Sequence, residues 1–142
     1  MLKNELPKII TKNLPGPNSA ALIARREAAI PDALHCGYPV CMKKAEGAMI
    51  EDLDGNYFLD WIGGVGVLNI GHCHPEVVKA VQEQAGKYFH GMFNVVTHEG
   101  YVALAEKLNA IASVKGAKKR SYFTNSGAEA DENAVKLAKA FT

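Results

Sequence analysis

The stretch that decides the fold of this sequence reads Tyr122-Phe123-Thr124-Asn125-Ser126-Gly127-Ala128-Glu129-Ala130. Its first residues are aromatic or β-branched and predict a short strand over residues 120–124. Beyond them, apolar residues recur at helical spacing and predict a helix whose face is formed by Ala130, Ala134, Leu137, Ala138 and Phe141. The chain is therefore predicted to turn from a strand straight into a helix at Ser126-Gly127.

The turn at Ser126-Gly127 has two interpretations. A strand that enters a helix at Ser and Gly leaves the first backbone N–H groups of the helix without partners. These donors and the helix dipole favour a bound phosphate, which Gly127 lets approach and the Ser126 hydroxyl can contact. An ordinary capped helix explains the same residues and is the commoner case. The acidic residues that follow fit both interpretations, which the local sequence leaves open: Glu129, Asp131 and Glu132.

Length and charge restrict the class of protein. The 142 residues carry 16 Lys and Arg against 15 Asp and Glu, so no global field attracts nucleic acid or an anionic membrane. No apolar run approaches the roughly 20 residues of a membrane span, and the first residues lack the apolar core of a signal peptide. Cys36, Cys41 and Cys73 are an odd number of cysteines without framework spacing. They suit a reducing compartment, and we expect a cytoplasmic protein.

The middle of the chain is predicted to contain a hairpin. Residues 1–47 are punctuated by prolines and leave room for one short helix, over Ser19–Ala29. Within Gly47–Trp61, two apolar runs flank Asp54-Gly55-Asn56, which is a strong hairpin signal. Asp52, Asp54 and Asp60 lack the full loop pattern of a calcium site, so we interpret them as turn residues rather than metal ligands.

A glycine-rich segment follows, from Gly63-Gly64-Val65 to Gly71-His72. It matches neither a dinucleotide-binding fingerprint nor a P-loop. Its glycines in apolar company suggest a backbone that passes close to a ligand or to another chain, with a flexible loop as the alternative. The run His72-Cys73-His74-Pro75 could bind zinc only with distant partners, and Pro75 as the first residue of a helix explains it better.

Two further helices are predicted between the glycine-rich segment and residues 122–130. The first runs from Pro75 to about Tyr88, and the second begins after a plausible cap at Thr97 and ends before Lys115-Gly116. Both have apolar residues at helical spacing, which are Val78, Val81, Ala85 and Tyr88 in the first, and Tyr101, Leu104, Ala105, Leu108, Ile111 and Ala112 in the second.

Over essentially its whole length the sequence resembles the N-terminal third of a class III aminotransferase, and within that family the 4-aminobutyrate aminotransferase group. The likeness is specific because four places carry it together: the hairpin Gly47–Trp61, the loop from Gly63 to Pro75, the helix Tyr101–Leu108, and residues 125–130 with Glu132-Asn133-Ala134. The resemblance implies an α/β chain, the N-terminal part of a fold type I transferase that depends on pyridoxal 5′-phosphate. Residues 1–62 would form an N-terminal arm and the small-domain hairpin. Residues 63–142 would form a glycine-rich interface loop and the start of the large, mixed-sheet, cofactor-binding domain.

The resemblance also assigns residues. Ser126, Gly127 and Ala128 would hold the cofactor phosphate, and Val65, which follows the paired glycines, would line the substrate pocket. The family forms homodimers with active sites at the subunit interface, which suits the apolar loop over residues 63–71. No residue of the chain matches the family's catalytic positions, because its Schiff-base lysine and the aspartate that pairs with the pyridine nitrogen lie further downstream than Thr142. We therefore expect a fragment of a longer enzyme that is inactive by itself.

Three functions stay open at this point. The first is transfer of an amino group from an amine or ω-amino acid, such as 4-aminobutyrate, to a 2-oxo acid. The second is racemisation or epimerisation of an amino acid with the same cofactor. The third is a phosphate-binding module without catalysis. The resemblance favours the first for the complete protein, with small-molecule substrates and with neither nucleic acid nor membrane as a partner.

Overall fold

The Asp54-Gly55-Asn56 turn joins two strands of an antiparallel sheet in the computed structural model, which describes residues 1–116 and 118–142. The strands are β1 (Met42–Glu46), β2 (Met49–Asp52) and β3 (Tyr57–Leu59), in the order β1-β2-β3. The predicted hairpin is confirmed, since Met49 pairs with Leu59 and Glu51 with Tyr57. The sequence pattern does not indicate β1, because its charged and largely exposed residues show no apolar alternation.

The described residues divide into two compact units, Met1–Lys87 and Tyr88–Thr142. Besides the sheet, the first unit contains a 3-10 turn (Leu2–Asn4), helix α1 (Pro17–Ala29), the short helical turn α2 (Gly63–Gly66) and helix α3 (Pro75–Ala85). The second unit contains helices α4 (Glu99–Ile111) and α5 (Gly127–Phe141). The domain boundary expected after residue 62 refers to the complete enzyme and stays a prediction.

A buried polar network ties the hairpin to the N-terminal arm. The carboxylate of Asp52 is fully buried and accepts hydrogen bonds from the backbone N–H groups of Asp54 (2.9 Å) and Asn56 (2.8 Å). The Asn56 side chain, also fully buried, donates to Asp52 Oδ2 at 2.8 Å. Its Oδ1 accepts from the backbone N–H groups of Ile10 (2.8 Å) and Thr11 (3.1 Å). The Asp52 carboxylate therefore holds the turn together, and Asn56 Oδ1 attaches the turn to residues 10–11.

Asp54, which lies in the hairpin turn, caps helix α1. Its two carboxylate oxygens accept from the backbone N–H groups of Asn18 (2.8 Å) and Ser19 (2.9 Å), which lie in the first turn of α1. A Cβ added at the preceding Gly16 would overlap the Asp54 side chain, so only glycine fits there. The predicted helix is confirmed, and so is the interpretation of Asp52 and Asp54 as turn residues.

The helix boundaries differ from the predicted ones, and α1 begins at Pro17 rather than at Ser19. Helix α3 ends at Ala85 rather than near Tyr88, and Gly86 follows it as the C-cap. Helix α4 begins at Glu99 with His98 as its N-cap, so the predicted cap at Thr97 is wrong. The ring of His98, the observed N-cap, packs edge-on against Phe93, with 5.4 Å between ring centroids.

The strand predicted over residues 120–124 is wrong, because these residues form neither strand nor helix. A strand needs a hydrogen-bonded neighbour, and the described part of the second unit contains no other strand. Side chains anchor the segment instead. The Tyr101 hydroxyl oxygen accepts from the Phe123 N–H at 3.2 Å, and the Ser121 hydroxyl donates to Asn109 Oδ1 at 2.9 Å.

The buried network makes a stability prediction. We expect Asn56→Ala to lower the free energy of unfolding by about 1–3 kcal/mol, because it leaves the N–H groups of Ile10 and Thr11 and one oxygen of Asp52 without their partner. Urea denaturation of the chain, followed by circular dichroism, measures the difference. Asn18→Ala is the matched control, since Asn18 is exposed and its side-chain amide donates to Leu53 O at 3.3 Å, outside the Asp52–Asn56 pair. Equal midpoints for the two variants would contradict the role of the network.

Candidate functional site

The turn that opens helix α5 is closed by a reciprocal cap. Ser126 is the N-cap, and its Oγ accepts from the Glu129 N–H at 3.2 Å. The Glu129 carboxylate reaches back and accepts from the Asn125 N–H at 2.7 Å. This arrangement resembles the capping box, in which the N-cap hydroxyl accepts from the N–H three residues later and the acidic side chain of that later residue accepts from the N-cap N–H. Here the acidic side chain accepts from Asn125, one residue before the N-cap. The predicted cap at Ser126 is therefore confirmed, and Glu129 belongs to it.

The cap leaves three donors at the helix start for a ligand. Gly127 and Ala128 are the first two residues of α5, so their N–H groups have no intrahelical acceptor. The Ser126 hydroxyl uses a lone pair for Glu129 and keeps its proton. A Cβ added at Gly127 would meet no atom within 4 Å, so the space beside the turn is open. Two N–H groups, a hydroxyl and a helix N-terminus are the donors that a phosphate monoester needs.

Packing of aromatic rings holds the segment that leads into this turn. The Tyr101 ring stacks on Phe93 with a centroid separation of 3.9 Å and meets Phe123 at 4.7 Å. With the hydrogen bond from the Phe123 N–H, these contacts attach residues 121–123 to helix α4. The turn is therefore anchored by side chains on its N-terminal side and by its own cap on the other.

Val65, the predicted substrate-pocket residue, lies in the first unit in an unusual backbone conformation. The φ angles of Gly63, Gly64, Val65 and Gly66 are 52°, 61°, 63° and 76°, so the chain makes one left-handed turn. Three glycines accept this conformation readily, but a β-branched side chain pays about 1–3 kcal/mol for it. Val65 is 85% exposed, so packing does not offset this strain. The hydrogen bond from Gly66 N–H to Ile62 O, at 2.9 Å, spans the turn.

Asp60 and His72 fix the two ends of this glycine-rich loop. Asp60 Oδ1 accepts from the N–H groups of Ile62 and Gly63, each at 2.9 Å. Its Oδ2 lies 2.7 Å from His72 Nε2, and because a carboxylate only accepts, Nε2 carries the proton. The backbone of His72 pairs with Gly47 in both directions, at 2.9 and 2.8 Å. The predicted turn role of Asp60 is confirmed, but its contact with His72 joins residues too far apart for a sequence pattern to indicate.

In the part of the chain that the structure describes, residues 72–74 belong to no cluster of potential metal ligands. Within residues 1–116 and 118–142 the structure brings together no group of three or more His, Cys, Asp or Glu side chains. His74 serves as the N-cap residue before Pro75, which is the first residue of α3 as predicted. No described helix has both the length and the apolar character that crossing a membrane requires.

The chain belongs to the class III aminotransferase family, which its sequence matches over residues 33–142. It is 45% identical over 135 residues to the 4-aminobutyrate aminotransferase of Mycobacterium tuberculosis, covering 95% of this chain and 30% of that enzyme. It is 43% identical over 123 residues to the 5-aminovalerate aminotransferase of Pseudomonas aeruginosa, covering 86% of this chain and 28% of that enzyme. The chain thus spans about 30% of the length of these relatives.

The fold leads to the same family. The taurine:2-oxoglutarate aminotransferase from Bifidobacterium kashiwanohense, solved in complex with pyridoxal phosphate and glutamate, superposes with a TM-score of 0.73 at 28% identity. The superposition covers 92% of this chain and 28% of that one. The predicted family and the α/β fold class, with a small antiparallel sheet, are confirmed. The ligand-binding roles of Ser126, Gly127, Ala128 and Val65 stay predictions.

The hydrogen bonds of Asp60 generate a pH prediction. The His72 contact, followed by the Gly63 and Ile62 N–H groups, holds the pKa of Asp60 below its ordinary value. A carboxylate with a lowered pKa in the folded chain stabilises the fold above the unfolded value of about 3.9 and loses this contribution as the pH falls through the folded pKa. We expect the amide NMR signals of Ile62 and Gly63 to shift with a midpoint below about 3.9. Asp60→Asn should abolish that transition, and a midpoint at or above the ordinary value would contradict the geometry.

Proposed function

We propose that the chain is the N-terminal part of a pyridoxal 5′-phosphate-dependent aminotransferase. The complete enzyme moves an amino group from an ω-amino acid such as 4-aminobutyrate, or a related amine, to a 2-oxo acid such as 2-oxoglutarate. The likeness to the M. tuberculosis enzyme over nearly the whole chain carries this proposal. The relative named for 5-aminovalerate supports the same class of unbranched donor.

Ser126, Gly127 and Ala128 hold the cofactor phosphate in this proposal. Two backbone N–H groups and one hydroxyl lie at the start of α5, the space beside Gly127 is open, and the Ser126–Glu129 cap keeps the turn in that shape. Pyridoxal phosphate, when bound, supplies the electron sink for the chemistry at the amino-bearing carbon. The residues of this chain bind and orient the cofactor, and we assign none of them a catalytic role.

Val65 forms part of the wall of the substrate pocket in the complete enzyme. Its side chain is small, apolar and 85% exposed, and the left-handed turn presents it away from its neighbours. A short aliphatic wall suits an unbranched carbon chain between an amine and a carboxylate, because it offers apolar contact and no hydrogen bond.

The complete enzyme is proposed to be a cytoplasmic homodimer. Val65, Val67 and Ile70 on the glycine-rich loop are 85%, 73% and 62% exposed, which suits a surface that a second subunit covers. The near-neutral charge and the free cysteines fit a cytoplasmic enzyme with small-molecule substrates and without a nucleic-acid partner.

Cofactor affinity tests the phosphate turn. In the complete enzyme we expect Ser126→Ala to weaken pyridoxal phosphate binding about ten- to hundredfold, because it removes one hydrogen bond to a charged group worth roughly 1.5–3 kcal/mol. Gly127→Val should weaken it further, since the branched side chain would occupy the space that the phosphate enters. Titration of the cofactor-free enzyme, followed by absorbance, measures both constants.

Ser121→Ala is the matched control for the hydroxyl. Ser121 lies in the same unit and bonds to Asn109, away from the turn, so its loss should leave cofactor affinity unchanged. Gly127 has an ordinary φ and open space beside it, so Gly127→Val should not unfold the cofactor-free enzyme. Retention of parental affinity in both turn variants would place the phosphate elsewhere.

A single-turnover assay tests the reaction. When the complete enzyme is mixed with 4-aminobutyrate and no acceptor, we expect the cofactor's aldehyde absorbance to disappear and succinic semialdehyde to accumulate stoichiometrically. Addition of 2-oxoglutarate should restore the absorbance and release glutamate. Persistent aldehyde absorbance, together with inversion of a chiral α-amino acid, would replace the transferase by a racemase. A cofactor that binds without any reaction would indicate a phosphate-binding module.

A further inference from the structure

The glycine-rich loop leaves and re-enters the sheet region at one place. Asp60 follows β3, and its backbone N–H donates to Ala48 O at 2.8 Å. At the other end of the loop, the backbone of His72 is paired with Gly47. The side chains of Asp60 and His72, 7% and 15% exposed, then meet at 2.7 Å between Oδ2 and Nε2. The loop is therefore closed at its base by one partly buried contact.

The same carboxylate also reaches the left-handed turn. Asp60 Oδ1 accepts from Ile62 N–H and Gly63 N–H, and Ile62 O in turn accepts from Gly66 N–H. A continuous series of hydrogen bonds thus runs from His72 through Asp60 to both sides of Val65. Since Val65 itself is 85% exposed, these bonds rather than packing hold its backbone in a conformation that valine rarely adopts.

At its far end the loop packs closely against Gly47. A Cβ added at Gly71, whose φ is +82°, would lie 2.8 Å from Gly47 O, so the backbones of Gly71 and Gly47 approach too closely for a side chain here. At the other end, the Ile62 and Gly63 amides, where the Gly63–Gly66 turn begins, are bound to Asp60.

We propose that Asp60 and His72 are positioning residues that hold Val65 against the carbon chain of the amino donor. His72 orients the Asp60 carboxylate, and the carboxylate fixes the first two amides of the loop, so the position of the Val65 side chain is set from its base. The proposal rests on the proposed function, because it takes Val65 as a wall of the donor pocket. Loss of the pair should let the Val65 side chain move and so reduce the preference of the enzyme between donors of different length.

The experiment uses the complete, cofactor-loaded enzyme and three variants. Asp60→Ala removes both acceptors, His72→Ala removes only the orienting contact, and His72→Gln keeps an N–H that can donate to Asp60 Oδ2. Asp32→Ala, at an exposed aspartate of the same unit, is the control for loss of charge. Two readouts are taken: hydrogen exchange of the Ile62 and Gly63 amides, and the ratio of kcat/KM for 4-aminobutyrate and 5-aminovalerate.

We expect Asp60→Ala to speed exchange of these two amides about tenfold, which corresponds to about 1.4 kcal/mol. One methylene in an apolar pocket is worth about tenfold or more in specificity, so the donor ratio should move toward unity by about threefold or more. His72→Ala should produce smaller changes of the same kind, and His72→Gln should restore both readouts. Cofactor affinity and the control variant should match the parent, because the phosphate turn is untouched.

Two results would overturn the proposal. Unchanged exchange in both alanine variants would show that the pair does not hold the loop. Faster exchange with an unchanged donor ratio would show that the pair holds the loop without positioning Val65. If Asp60→Ala does not fold, the His72→Ala and His72→Gln comparison decides by itself. A parent enzyme that transfers no amino group would contradict the proposed function, and the amide exchange would still decide whether Asp60 and His72 hold the loop.

Discussion

The first unit depends on the buried carboxylate of Asp52. A charged group without solvent is tolerated only when its lone pairs are satisfied, and here two backbone N–H groups and the Asn56 amide satisfy them. Among the described residues, the buried apolar side chains are those of Leu2 and Met49, 7% and 4% exposed. The turn is therefore specified by hydrogen bonds more than by an apolar core. Asn56 extends this specification to residues 10–11, and so places the N-terminal arm beside β3.

The same device is repeated along the chain. Asp54 accepts from the first turn of α1, Asp60 from the first amides of the glycine-rich loop, and Glu129 from the amide before α5. In each case a carboxylate satisfies N–H groups where a helix or turn begins and where no intrahelical acceptor exists. Asp52, Asp54 and Asp60 thus bind backbone donors, as expected of turn residues.

Elements with a local cause were predictable from the sequence. The hairpin follows from Asp54-Gly55-Asn56, helix α3 from Pro75, and the cap of α5 from Ser126, since each signal acts within a few residues. Elements with a distant cause were not. Strand β1 exists because β2 pairs with it, residues 120–124 have no described neighbour to pair with, and the Asp60–His72 contact depends on the sheet. The left-handed conformation of Val65 was also unpredictable, because valine disfavours it and only its surroundings impose it.

The plain cap and the phosphate site at Ser126 are compatible interpretations. The cap uses the N–H groups of Glu129 and Asn125 and leaves those of Gly127 and Ala128. The Glu129 carboxylate keeps its negative charge, which opposes a bound anion, but its hydrogen bond from the Asn125 N–H, at 2.7 Å, fixes the position of that side chain. Its side chain therefore stiffens the turn while the helix dipole stays directed at the open donors. A rigid turn would lose little conformational freedom on binding a phosphate, so in the proposed function Glu129 contributes by fixing the shape of the turn.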